Sequence, residues 1–149
     1  MIILIATEQE FSLIPPEALN GGVVIVTGIG ISNVIRTLSK RHIGKKEPIL
    51  NVGYAGSPDL PIGTKCLIGK VRQHAENAEF EMPSWDLGGD VPCYTDTDFV
   101  TESRLSGCVF DMELAAVCAM GYKNVRAIKV VSDNLNLHQY ESQSKGGAE

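Results

Sequence analysis

No stretch of this 149-residue sequence approaches the run of about 20 apolar residues that crosses a bilayer as a helix. A membrane partner is therefore not expected. The opening MIILIATEQE is too short an apolar segment, and turns acidic too soon, to read as a secretory signal. Basic blocks are missing too. The net charge is −5, and the densest cationic stretch, Lys40-Arg41-His42 with Lys45-Lys46, reads as a solvated helix end. That argues against nucleic acid or an anionic lipid surface as partner. There is no Cys-x-x-Cys pair and no Cys/His cluster at zinc-ligand spacing; Cys66, Cys93, Cys108 and Cys118 stand far apart. They read as reduced thiols of a cytoplasmic protein, with no metal site. His42, His74 and His138 are scattered and read as surface or structural residues. Internal repeats and a second-domain boundary are absent as well.

What is present is an ordinary globular balance, 44% apolar and 21% charged, enough for one domain with a real core. Residues 2–6 form a continuous apolar run, as expected of a strand buried on both faces. Residues 23–27 and 48–52 read as further buried strands, the second closed by Gly53-Tyr54-Ala55-Gly56. Residues 65–68 and 125–131 add two more. Ser32 or Asn33 is placed to cap a helix through Lys40. The clearest helix is 111–120, with Met112, Ala115, Ala116, Cys118 and Ala119 on one face and Gly121 to close it. Residues 73–97 lack periodicity and read as a long loop or irregular strands. The tail from about residue 139 reads as frayed. Strands alternating with helices predict an α/β class with a mainly parallel sheet, a single domain over 1–149.

Two features bear on chemistry. VTGIGISNV, residues 26–34, places Gly28 and Gly30 between a strand and a helix, as a dinucleotide-binding turn does. The third glycine of that fingerprint is replaced by Asn33, and no acidic residue stands in 48–51 to hold a ribose, so a nicotinamide- or flavin-dependent oxidoreductase is a weak alternative. The generic property survives: glycines let backbone approach a ligand, and a helix N-terminus favours an anion or a hydroxyl-rich group. The second feature is a set of carboxylates at element ends. Glu10 follows the first strand, Glu113 opens the best helix, and Asp133 stands where the last strong strand stops. Open α/β sheets bind ligands at the carboxyl ends of their strands, and carboxylates converging there suit acid–base work.

In chain order, MIILIATEQEF, VTGIGISNV, NVGYAGSPDLPIGT, FDMELAAV and VVSDN resemble motifs of the nucleoside phosphorylase and nucleosidase superfamily. The resemblance is strongest to its methylthioadenosine/S-adenosylhomocysteine nucleosidase branch. The five match the opening strand with its glutamate-rich loop, a glycine turn written G-x-G-x-x-N, a strand with a small-residue loop, an acidic-Met-Glu helix start, and a terminal Ser-Asp. The resemblance implies a three-layer α/β/α fold with a central mixed, mainly parallel sheet. It also implies cleavage of the N-glycosidic bond of a purine nucleoside, without metal or organic cofactor. Carried over residue by residue, Asp133 donates a proton to N7 of the purine, and Glu10 positions and deprotonates the attacking water. Glu113 hydrogen-bonds the ribose hydroxyls, with Met112 beneath the sugar. Phe99 packs on the base, Val100 offers backbone groups to its edge, and Ser132 orients the acid. Gly28, with Ala55 and Gly56 of the small-residue loop, shapes the floor of the site.

The chain also departs from the family pattern. It is short, with no room between its fourth strand and FDMEL for the usual extra helix and strands. Tyr54 sits where the family loop has a small residue, so it narrows or blocks the nucleophile pocket. Arg36, Arg72, Arg104 and Arg126 do not sit in the contexts of the phosphorylases' phosphate-binding arginines, which favours water over phosphate as nucleophile. Missing peripheral elements leave apolar surface to cover, so a homodimer or higher homo-oligomer is expected. A protein that keeps the fold and binds a nucleoside or base without turning it over is the main alternative.

Overall fold

The computed structural model of the chain describes residues 1–75 and 81–144. Its apolar opening forms β1, Ile2–Ile5, which pairs in parallel with β2, Val23–Val26, and with β3, Ile49–Gly56. Side chains alternate across β1, so Ile3 and Ile5 join Ile14, Leu50 and Val52 in one apolar cluster while Leu4 joins Ile25, Val34 and Leu38 in another. Burial on both faces explains the unbroken apolar run. β2 differs: Val23 and Val26 are 53% and 46% exposed, because this strand is the edge of the sheet and not the buried strand its composition suggests.

After β2, the helix α2 spans Ile31–Ser39. Its cap is Gly30, at φ 96°, and not Ser32 or Asn33. The Asn33 amide instead donates to the Ile29 carbonyl, which ties the turn to the helix it opens. β3 then runs straight through Gly53-Tyr54-Ala55-Gly56, which is strand and not a closing loop. β4, Lys65–Gln73, is longer than expected, and the irregular segment after it contains two short strands, β5 (Ser84–Asp86) and β6 (Val91–Thr95). Its residues 76–80 lie outside the described set. β7, Val109–Asp111, takes the start of the expected helix; Glu113 is the N-cap, and α3 spans Leu114–Ala119. β8, Val125–Asp133, pairs in parallel along β3 and antiparallel with β4. Residues 139–144, expected to fray, belong to α4, Leu137–Ser144; the remaining tail, 145–149, lies outside the described residues.

The result is a mixed α/β fold around one central sheet. The expected central sheet, mixed and mainly parallel, is met in that it is mixed; it also closes on itself, which was not expected. β3 pairs β8, β8 pairs β4, β4 pairs β6, β6 pairs β7, and β7 returns to β3 through an antiparallel bridge between Phe110 and Gly56. β1 and β2 extend from one side of this ring and β5 from the other. Since β1, β3 and β8 are parallel, their carboxyl ends share one rim. The 3₁₀ helix Glu8–Leu13 leaves β1 at that rim.

Candidate active site

Glu10 is brought to the rim by the short helix that follows β1, and it is buried. Its Oε1 accepts the backbone N–H of Ala6 (2.7 Å) and of Thr7 (3.2 Å), and its Oε2 accepts that of Tyr54 (2.9 Å). The carboxylate lies so close to β3 that a Cβ at position 53 would sit 2.8 Å from Oε2. Position 53 is therefore glycine for steric room, not for a turn.

The same logic holds at the other end of the glycine pair. A Cβ at Gly56 would lie 2.8 Å from Asp133 Oδ1. Asp133, fully buried, ends β8 beside a register shift between Ala55 and Gly56. The Ser132 hydroxyl donates to its Oδ2 (2.7 Å) and the Leu135 N–H to its Oδ1 (2.9 Å). Leu135 holds φ 65°, the sole non-glycine residue with positive φ among those described. That strained backbone is what lets its N–H turn back onto Asp133. The Asn134 amide fixes the loop by donating to the Ser57 and Leu60 carbonyls. Burial raises the Asp133 carboxyl, against the opposing pull of Ser132 and of the Leu135 and Asn136 N–H groups.

Glu113 caps α3 and reaches the glycine turn, where its Oε2 accepts the Gly30 N–H at 2.7 Å. The G-x-G turn thus serves a carboxylate of the protein itself, and a pyrophosphate would have to displace it. Burial pushes Glu113 up to about 7, although Lys129 and the Gly30 N–H pull the other way; Asp111 and Glu10 add to the rise. Beneath it, Asp111 Oδ2 accepts the N–H groups of Glu113 (3.3 Å) and Leu114 (2.8 Å), which is why the helix starts after Asp111 and not at it. The same oxygen pairs with Lys129 Nζ at 3.1 Å, both side chains being buried.

Of the residues singled out in the sequence, Glu10, Ala55, Gly56, Phe99, Val100, Met112, Glu113 and Asp133 line one pocket at this rim. Ser132 stands one step behind, through Asp133. Gly28 does not line the pocket; at φ 90° it forms the turn, packed on the Asn33 side chain. Sequence reasoning missed other wall residues, among them Asp98, Asp111, Leu135 and Tyr140. It also missed Lys129, which alternation along β8 places with Ala127 and Val131 on the ring interior. A charge inside the apolar run AIKVV, residues 127–131, was the available signal. Phe99 and Val100 sit on a loop shaped by Asp96, which accepts the Asp98 N–H (3.1 Å) and pairs with His74 Nδ1 (2.7 Å). Phe99 touches Tyr140 of α4 with ring centroids 5.4 Å apart. The free volume between the walls is about 40 Å³. That is room for a few waters, since one needs about 10–15 Å³. Among the described residues, five carboxylates line the pocket and no lysine, arginine or histidine does. Among the described residues, no group of three or more His, Cys, Asp and Glu could hold a metal ion, and no helix is long and apolar enough to cross a membrane.

No family model matches the chain, and no curated protein matches it by sequence. Solved structures do. Futalosine hydrolase of Helicobacter pylori superposes with a TM-score of 0.74 at 16% identity, over 98% of this chain and 91% of that protein. The 5′-methylthioadenosine/S-adenosylhomocysteine nucleosidase of the same organism gives 0.72 at 16% identity, again over 98% and 91%. The MTA/SAH nucleosidase of Streptococcus pneumoniae gives 0.70 at 15% identity, over 94% and 87%. The chain has the fold of these proteins.

Proposed function

We propose that the chain hydrolyses the N-glycosidic bond of a purine nucleoside, releasing the base and ribose or a ribose derivative. One observation carries this reading: Glu10, Glu113 and Asp133, far apart in sequence, meet in a single pocket where Asp133 is fully buried and its carboxyl raised. A raised carboxyl holds its proton to higher pH than an ordinary one, the direction a proton donor requires. In the proposed reaction the C1′–N9 bond breaks and its electron pair goes to the base, which takes a proton at N7 from Asp133. Water attacks the oxocarbenium-like sugar and gives its proton to Glu10. Glu113 accepts hydrogen bonds from the ribose hydroxyls, Met112 lies under the sugar, and Phe99 and Val100 hold the base. Ser132 keeps Asp133 oriented. The likeness to proteins named as nucleosidases and a hydrolase supports water as nucleophile. So does the charge of the walls, because a phosphate dianion would enter among carboxylates with no cation lining the pocket among the described residues.

Phe99 and Tyr140, whose ring centroids lie 5.4 Å apart, both line this pocket. Tyr54, which lines the pocket with its N–H on Glu10, favours one second reading, a binding protein that takes a nucleoside or base without turnover. Base release from a panel of nucleosides, with and without phosphate and followed by chromatography, separates the two. Release in water alone is expected. Release only with phosphate overturns hydrolysis in favour of phosphorolysis. No release from a folded protein that binds adenine leaves the binding reading.

A further inference from the structure

Lys129 heads the largest fully buried side chains of the described residues. A cation there needs a reason, because a buried ion pair contributes little stability over apolar side chains of the same volume. Its surroundings supply one. On β7, Asp111 pairs with it at 3.1 Å. From the cap of α3, Glu113 faces its charge; from β6, the Cys93 thiol; and from the short helix after β1, Glu10. Cys118 of α3 lies near Asp111. Asp111 in turn is saturated: besides Lys129 it takes the N–H groups of Glu113 and Leu114, the Thr95 hydroxyl and the Cys93 thiol. The turn that presents Met112 and Glu113 to the pocket is thus fixed from below by one ion pair.

We propose that Lys129 is a positioning residue for Glu113: locked to Asp111, it holds the Met112–Glu113 turn in place and supplies the positive charge that keeps the Glu113 carboxylate able to accept hydrogen bonds from ligand hydroxyls. The ligand part rests on the nucleosidase reading above; the charge relation between Lys129, Asp111 and Glu113 does not. The two charged groups act on Glu113 in opposite senses, Lys129 favouring its ionised form and Asp111 opposing it, with Lys129 the stronger. Removing them one at a time therefore gives shifts of opposite sign, which loss of packing alone does not.

The test reads Glu113 directly, in ligand-free protein, by carboxyl ¹³C NMR titration, with Glu113→Gln to assign the signal. Lys129→Met is expected to move the titration upward by about one pH unit, Asp111→Asn to move it downward, and Lys129→Arg to leave it near the wild-type value. If either single variant does not fold, the paired Lys129→Met/Asp111→Asn variant, which leaves neither member of the ion pair buried alone, is read instead; a smaller upward shift is expected. Unchanged titration in the folded variants overturns the proposal, whether or not any nucleoside is ever cleaved. Where turnover is found, Lys129→Met is also expected to raise KM several-fold at pH 7 with kcat changed less, and Lys129→Arg to restore it. Equal loss in both variants overturns the positioning role.

Discussion

Two aspartates of this molecule are both shielded from solvent and have opposite chemistry. Asp133, on the rim, and Asp111, inside the ring, both have fully buried side chains. Burial pushes both carboxyls up. At Asp133 it meets only the Ser132 hydroxyl and two backbone N–H groups, and the carboxyl stays raised. At Asp111 it meets the Lys129 ammonium, the Thr95 hydroxyl and the Leu114 N–H, and the carboxyl is held below its ordinary range. Dipoles orient both groups, but a full positive charge reverses the sign. One pocket thus holds a carboxyl whose proton is held more tightly than usual and a carboxylate that anchors a turn. Glu113 stands between them in position and in environment, facing both Lys129 and the pocket.

The largest expected effect comes from removing the proposed acid. Asp133→Asn keeps the shape and the acceptor for Leu135 but cannot donate a carboxyl proton, so turnover is expected to fall roughly 10²–10⁴-fold while adenine binding stays measurable. Turnover at the wild-type rate would break the contrast, because Asp133 would then be no more an acid than Asp111. Next is the anchor. Asp111→Ala leaves Lys129 buried without its partner and is expected to lower stability by about 3–5 kcal/mol in urea unfolding. Asp111→Leu together with Lys129→Met is expected to recover most of that loss. If the double variant is as unstable as the single one, the pair stabilises the ring in its own right and the contrast is one of packing, not of charge.

The three site carboxylates were legible because each ends an element: Glu10 after β1, Glu113 before α3, Asp133 at the close of β8. Gly53 and Gly56 were visible as glycines but misled, since glycine signals a turn unless a neighbouring carboxylate is known to need the space. The helix start at Asp111 was misplaced for a related reason. An aspartate can open a helix as its first residue or by accepting N–H groups from outside it, and only the contacts to Glu113 and Leu114 decide. The closure of the sheet was out of reach. It depends on short strands far apart in sequence, β7 meeting β3 through one bridge and β4 joining β8 to β6. Periodicity reports which face of a strand is buried, not which strand lies beside it.

A pH series sharpens the comparison through the residue between the two aspartates. The folded protein raises Glu113 to about 7, above the ordinary glutamate value of 4.5. A raised carboxyl contributes stability that is fully present below the ordinary value and is lost as pH climbs through the folded one. The wild type should therefore lose stability between about pH 5 and 8 relative to Glu113→Gln, by about 2 kcal/mol. Asp111 works in the opposite sense and at lower pH: its contribution is present above the ordinary carboxylate value and disappears as pH falls below it. Parallel thermal melts of the two proteins across this range check the difference. Curves that stay parallel would mean that Glu113 is no more perturbed than an exposed glutamate.

The smallest effect isolates geometry from charge. Gly56→Ala adds one methyl 2.8 Å from Asp133 Oδ1 and 3.2 Å from the Leu135 side chain, and changes no charge. The methyl cannot fit without pushing the carboxyl or the Leu135 turn aside, because Asp133 is held from its other oxygen by Ser132. Turnover is expected to drop about tenfold, roughly 1.4 kcal/mol in the barrier. Asp111 and Lys129 lie off this contact, so stability in urea should change little compared with Asp111→Ala. A Gly56→Ala protein that loses stability but keeps its turnover would show that the glycine serves the strand and not the acid. Asp133 would then owe its orientation to Ser132 and Leu135 alone.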